Sequence, residues 1–186
     1  VNTSLLVSVL AASLVASAAR EPSWVPVGPP GGGVRALASD PTSPRRVYLG
    51  TADGTLYRSD DGGHLWRRMD PGFPRRGCSL DQIVVDARGA VYVGYWEVQG
   101  KGGGLARSVD GGRTFASLSA LEGESVRALA VAPSNDDEIV AGTLTGVFLS
   151  RDAGTTWTRI TPADDGDLRN VASLAIDPQE PRIIYA

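Results

Sequence analysis

The stretch Ser150 to Trp157, SRDAGTTW, sets a serine, an aspartate, a glycine and a tryptophan at fixed offsets. Ser150 and Asp152 are short acceptors for nearby backbone N–H groups, Gly154 can take a positive φ, and Trp157 brings a large apolar surface to the strand that follows. That is the chemistry of a tight turn between strands. Two near-copies keep the register. SDDGGHLW holds Ser59, Asp61, Gly63 and Trp66, with Leu65 in place of the threonine; SVDGGRTF holds Ser108, Asp110, Gly112 and Thr114, with Phe115 in place of the tryptophan.

The chain around these turns repeats as well. VRALASDP, LDQIVVDA, VRALAVAP and VASLAIDP begin at Val34, Leu80, Val126 and Val171, about 46 residues apart, and each reads as a short apolar strand. A second strand follows (VYLGT, VYVGY, EIVAGT, IIYA), then a third (TLYRS, GLARS, VFLS), then the turn, then a fourth led by its aromatic residue. The apolar pattern has period two or comes in short bursts, which excludes helical repeats of similar length. Four strands in a unit of this size make a propeller blade, and a blade with two apolar faces must stack on its neighbours. The expected fold is therefore an all-β propeller of four-stranded antiparallel blades. Trp66, Phe115 and Trp157 are expected to fill gaps between blades.

The three turns resemble the Asp-box, or bacterial neuraminidase repeat, S-x-D-x-G-x-T-W, of sialidases, xyloglucan-cleaving hydrolases, sortilin-type receptors and photosystem II stability factors. The resemblance covers residues 24 to 186 and implies that the boxes are peripheral turns, remote from any active site. It also implies a ring of about seven blades, of which about 3.5 are expected here: blades one to three and the start of a fourth over 34–186. Residues 20–33 are expected to hold a ring-closing outer strand, because WVPVGP, Trp24 to Pro29, matches WTRITP, Trp157 to Pro162. In the chain as it stands the natural acceptor of that strand is absent, so the segment is expected either to be mobile or to rest on a substitute edge, the incomplete fourth unit first among them.

Composition narrows the function. A net charge of −3 gives no basic field for nucleic acid. One cysteine excludes an internal disulfide, and one histidine leaves no Cys/His metal cluster; no cofactor or metal is expected. His64 reads as a solvated turn residue and Cys78 as a bystander. Residues 1–19 carry no charge, run apolar from Leu5 to Val15 and offer Ala16 and Ala18 as a cleavage signal. They read as a signal peptide without a stable membrane span, so an extracytoplasmic location is expected.

Candidate site residues come from blade equivalence. Aligned inner strands put Arg35, Asp81, Arg127 and Ala172 at one position near the mouth of the channel, as a ligand-binding rim or an ion-pair belt. Sialidases resemble this chain in carrying an arginine near the place of Arg35. In the xyloglucan hydrolases the resemblance implies a catalytic aspartate at the position of Ala52; Asp53 beside it is the candidate carboxylate, against its reading as a turn residue in Ala-Asp-Gly-Thr. Trp96 lies in the stretch YWEVQGKGGG, read as a longer loop with an exposed aromatic residue suited to carbohydrate or protein contact. The expected function is a secreted, non-catalytic Asp-box propeller acting as a binding or assembly scaffold for a protein or carbohydrate ligand at the propeller face; the alternative is a truncated glycoside hydrolase, sialidase-like or xyloglucanase-like.

Overall fold

The computed structural model describes residues 25–29, 33–72, 77–100, 102–162, 166 and 169–186. The signal-peptide reading of residues 1–19, Trp24 and Lys101 lie outside them. The first sheet is formed by β1 (Val34–Asp40), β2 (Ser43–Thr51), β3 (Leu56–Ser59) and β4 (Arg67–Met69), and the second by β5 (Cys78–Val85), β6 (Val91–Glu97), β7 (Gly103–Ser108) and β8 (Ala116–Ser117). The third is formed by β9 (Val126–Ala132), β10 (Asn135–Thr143), β11 (Val147–Ser150) and β12 (Thr158–Arg159), followed by a two-stranded pair, β13 (Ala175–Ile176) and β14 (Ile184–Tyr185). Every pairing is antiparallel between sequence neighbours, so each sheet is a meander. These are blades of a β-propeller.

Local side-chain chemistry makes the hairpins. Asp40 accepts the Thr42 N–H at 2.8 Å, and Asp86 accepts those of Arg88 at 3.0 Å and Ala90 at 2.8 Å. Asp40 ends β1 and Asp86 directly follows β5, and each holds the reversal into the next strand. The three Ser-x-Asp turns repeat one geometry. The Ser59, Ser108 and Ser150 hydroxyls donate to Asp61, Asp110 and Asp152 at 2.7, 2.8 and 2.8 Å, and each accepts the N–H of Gly63, Gly112 or Gly154 at 2.8 Å. The same carboxylates then take the backbone N–H groups of Leu65, Thr114 and Thr156 at 2.9, 3.0 and 2.8 Å.

Packing follows the alternation of the strands. Val91 and Val93 of β6 enter a core with Tyr48, Leu56 and Leu80, while Tyr92 points the other way into a core with Leu105, Val126 and Ile139. A third core joins Val140 and Val147 to Val171 and Ile176. Phe115 and Trp157 pack against the first and second of these cores. A glycine in the second strand of each blade sets the spacing. A β-carbon on Gly50 would lie 2.8 Å from the Leu80 carbonyl oxygen, one on Gly94 2.8 Å from Val126, and one on Gly142 2.7 Å from Val171.

The N-terminal segment lies before the first blade. Residues 25–29 form no strand and do not rest on the fourth unit. Instead the Trp66 indole donates to the Val27 carbonyl oxygen at 2.5 Å, and Val27 lies beside Gly63. Leu118, which follows β8, stands in the same relation to Gly154. The segment thus takes the place of an outer strand in front of the first blade, where an apolar side chain covers the turn; short tethering to β1 favours that neighbour over the distant fourth unit.

Candidate functional site at the channel mouth

The rim is built by an irregularity repeated in the inner strands. Val34 faces Thr51 and Ala36 faces Gly50, so Arg35 is an extra residue on β1. Val126 faces Thr143 and Ala128 faces Gly142, which makes Arg127 the extra residue on β9. On β5 the register steps from Ser79 opposite Trp96 to Gln82 opposite Gly94, with Leu80 and Asp81 in between. Such bulges re-aim side chains away from the ladder. Leu80, Val126 and Val171 enter the gap over the preceding blade's glycine, and the next residue is turned to the rim. Arg35, Asp81, Gln82, Arg127 and Ala172 line one cavity of about 360 Å³.

The alternating charges do not form a belt of ion pairs. Asp81 accepts the Ser79 hydroxyl on one oxygen and the Trp96 indole N–H, at 2.8 Å, on the other. Arg127 lies over the Trp96 ring, 4.1 Å from its centroid, and donates to Asn170. Arg35 is exposed at the cavity edge. With both Asp81 oxygens occupied, two guanidinium groups face the cavity as forked donors for a polar ligand. Trp96 belongs to β6, opposite Gly103, and is half-buried. It is not an exposed loop residue, because its indole is held between Asp81 and Arg127.

Asp53 follows β2 in the turn beside this rim, where the Ala52 N–H donates to the Gly33 carbonyl oxygen at 2.8 Å. It is exposed. The Thr51 hydroxyl donates to its carboxylate, and this hydrogen bond holds the group below the usual carboxylate range. Asp53 is therefore ionised at neutral pH and suited to act as a base or charge stabiliser. Glu97 ends β6 at the position equivalent to Asp53, each being three residues beyond the second-strand glycine. Ser79, Gln82 and Asn170 were not singled out from sequence; Gln82 and Ser79 flank Asp81 in β5, which is the signal that could have found them.

The Ser-x-Asp turns lie at the other end of the blades. Ser59 pairs with Val47, which pairs with Ser39 near the end of β1, whereas Arg35 is near its start. A hollow of about 350 Å³ there is lined by Arg58, Asp60, Asp61, Leu65, Trp66 and Arg67. Arg58 there is paired with Asp60 at 2.8 Å, and Asp61 is taken up by Ser59 and the turn's own N–H groups. Cys78 is buried and in no disulfide; desolvation first, then Glu97, pushes its thiol up. No set of three or more potential metal-ligating side chains occurs among the described residues, and no helix there is long and apolar enough to cross a membrane.

No family model matches the chain. A xyloglucanase from Paenibacillus sp is 32% identical in an alignment of 136 residues that covers 63% of this chain and 13% of the relative. The chain thus spans 13% of the length of the curated relative that it matches. An ancestral GH74 enzyme superposes with a TM-score of 0.71 at 23% identity, over 87% of this chain and 22% of its own. The GH74 xyloglucanase of Xanthomonas campestris gives a TM-score of 0.67 at 22% identity, over 82% of this chain and 26% of its own. At these identities the solved structures establish the fold. The likeness to a xyloglucanase corrects the expectation of a non-catalytic scaffold: it favours the alternative, a glycoside-hydrolase-like protein. The sequence reading missed this because the residues it weighed belong to the repeat, and the repeat carries no activity of its own.

Proposed function

We propose that this chain forms blades of an Asp-box propeller of the glycoside hydrolase kind, whose channel mouth acts on a xyloglucan-type polysaccharide. The observation that carries this reading is the likeness to a xyloglucanase over 136 residues, 32% identical. The rim suits such a ligand. Arg35, Gln82 and Arg127 present donors to a hydroxyl-rich polymer, and Trp96 fixes Arg127 in place before a ligand arrives.

Glycoside hydrolysis takes two carboxyl groups, one protonated as an acid and one ionised as a base or nucleophile. Asp53 fits the ionised role, since the Thr51 hydroxyl stabilises its charged form. Retardation of the purified chain in a gel cast with xyloglucan tests the binding. Migration unchanged relative to a gel without polysaccharide overturns the reading.

A further inference from the structure

Arg127 is enclosed on both sides, by Trp96 of the second blade and by Asn170 at the entry to the fourth unit. Its guanidinium lies 4.1 Å from the centroid of the Trp96 ring, and its Nη1 donates to the Asn170 side-chain oxygen. The indole is itself fixed. Its N–H donates to Asp81 at 2.8 Å, and the other Asp81 oxygen accepts the Ser79 hydroxyl. Asn170 has a φ of 56°, a left-handed backbone that asparagine tolerates, and its own N–H donates to the Leu144 carbonyl oxygen at 3.1 Å. Asp81, Trp96, Arg127 and Asn170 thus form one run of touching side chains from the second blade to the start of the fourth unit.

Blade building does not call for this run. Two residues beyond the second-strand glycine, Trp96 has Ala52 and Leu144 as its equivalents. Just before the residue that enters the blade junction, Asn170 has Gly33, Ser79 and Ser125. Its effect is on one guanidinium, which has a face on a ring and one nitrogen taken. The Arg127 Nε and Nη2 have no hydrogen-bond partner among the described residues, and Arg127 lines the cavity at the mouth. Those two nitrogens make a planar fork that fits two neighbouring oxygens. We propose that Arg127 determines the specificity of the rim by gripping a vicinal diol, two adjacent hydroxyl oxygens of one sugar ring, and that Asp81 and Asn170 are positioning residues acting through it. The diol rests on the polysaccharide reading; the positioning does not.

Gels cast with native xyloglucan, with xyloglucan whose vicinal diols have been opened by periodate and reduced, and with polygalacturonate test the ligand. The parent chain is expected to be held by the first, about tenfold less by the second and not by the third. Arg127→Lys keeps the charge but not the fork, and Asn170→Gly keeps the left-handed backbone but not the acceptor. These two variants and Asp81→Ala should bind native xyloglucan about tenfold more weakly, as for one charge-assisted hydrogen bond lost. Asp81→Asn, which still accepts the Trp96 N–H, should bind as the parent does. The Arg127 Nε–H resonance, assigned by its loss in Arg127→Lys, reads the positioning without a ligand. It should be sharp in the parent and in Asp81→Asn, and broadened in Asn170→Gly and Asp81→Ala. A parent that no gel holds overturns the polysaccharide reading and the diol with it, while the resonance still decides the positioning. Equal retention after periodate, or undiminished retention of Arg127→Lys, overturns the diol alone, and so does retention by polygalacturonate in place of xyloglucan. A resonance unchanged by Asn170→Gly and Asp81→Ala overturns the positioning.

Discussion

Leu80 of the second blade lies directly on Gly50 of the first, so close that a β-carbon there would be 2.8 Å from the Leu80 carbonyl oxygen and 2.9 Å from its β-carbon. Backbone cannot yield as a side-chain tip does. Gly50→Ala should destabilise the chain by about 1–3 kcal/mol, the usual cost of overpacking. Gly28→Ala, with nothing within 4 Å, should change little. Urea unfolding of both variants is the check, and equal midpoints would remove the glycine's role in blade spacing.

The serine of each turn is the hub. Ser150 is 1% exposed and accepts the N–H groups of Gly154 at 2.8 Å and Asp152 at 3.3 Å. Ser150→Ala leaves a buried donor without its partner, and a loss of about 1–3 kcal/mol is expected. In the same turn Ala153 holds a φ of 54°, where an L-residue is strained. Ala153→Gly should therefore hold or raise the melting temperature while Ser150→Ala lowers it.

Acid should weaken all three turns together. Asp61, Asp110 and Asp152 are held below the ordinary carboxylate range: by the Leu65 and Thr114 backbone N–H groups in the first two, and by the Thr156 hydroxyl in the third. The unfolded chain, with carboxyls near pKa ~3.9, takes up protons before the folded one does. Their stabilisation is thus fully present above that value and is lost as the pH falls through the depressed folded values. Melting temperatures should be level from neutral pH to about pH 5 and drop below about pH 4, and Asp110→Asn should make the drop shallower. An unchanged acid profile in that variant would separate the turns from acid stability.

At the rim, Trp96 does two jobs that substitutions can part. Trp96→Phe keeps a ring beneath Arg127 but removes the N–H that holds Asp81; Trp96→Ala removes both. Xyloglucan retardation should weaken in the first and be lost in the second, with circular dichroism unchanged. Equal retardation in all three proteins would place the polysaccharide elsewhere.

If Asp53 is the ionised carboxylate of a hydrolase, Asp53→Asn should keep xyloglucan binding and abolish any release of reducing ends. A rate within about tenfold of the parent, against the 10²–10⁴ that acid–base groups usually contribute, would return Asp53 to a turn role.

The sequence by itself determined the blades, because everything that makes them is local. A serine, an aspartate and a glycine at fixed offsets close a turn through bonds that span at most four residues, as Ser150 with Gly154 shows. Alternation along β6 assigns Val91 and Val93 to one face and Tyr92 to the other. It also set Arg35, Asp81 and Arg127 at one level, since the repeat fixes register. Tertiary structure decided what those residues touch. Asp81 is bound to Trp96, 15 residues away, and Arg127 stacks on the same ring from the next blade, so the plus-minus-plus row is not an ion-pair belt. Val27 sits by Gly63 and Trp66 for the same kind of reason. Hydrogen bonds within a turn depend on spacing along the chain, whereas the partner of a rim side chain depends on how far one sheet slides over the next, and that is set by Leu80, Val126 and Val171 meeting glycines in another blade.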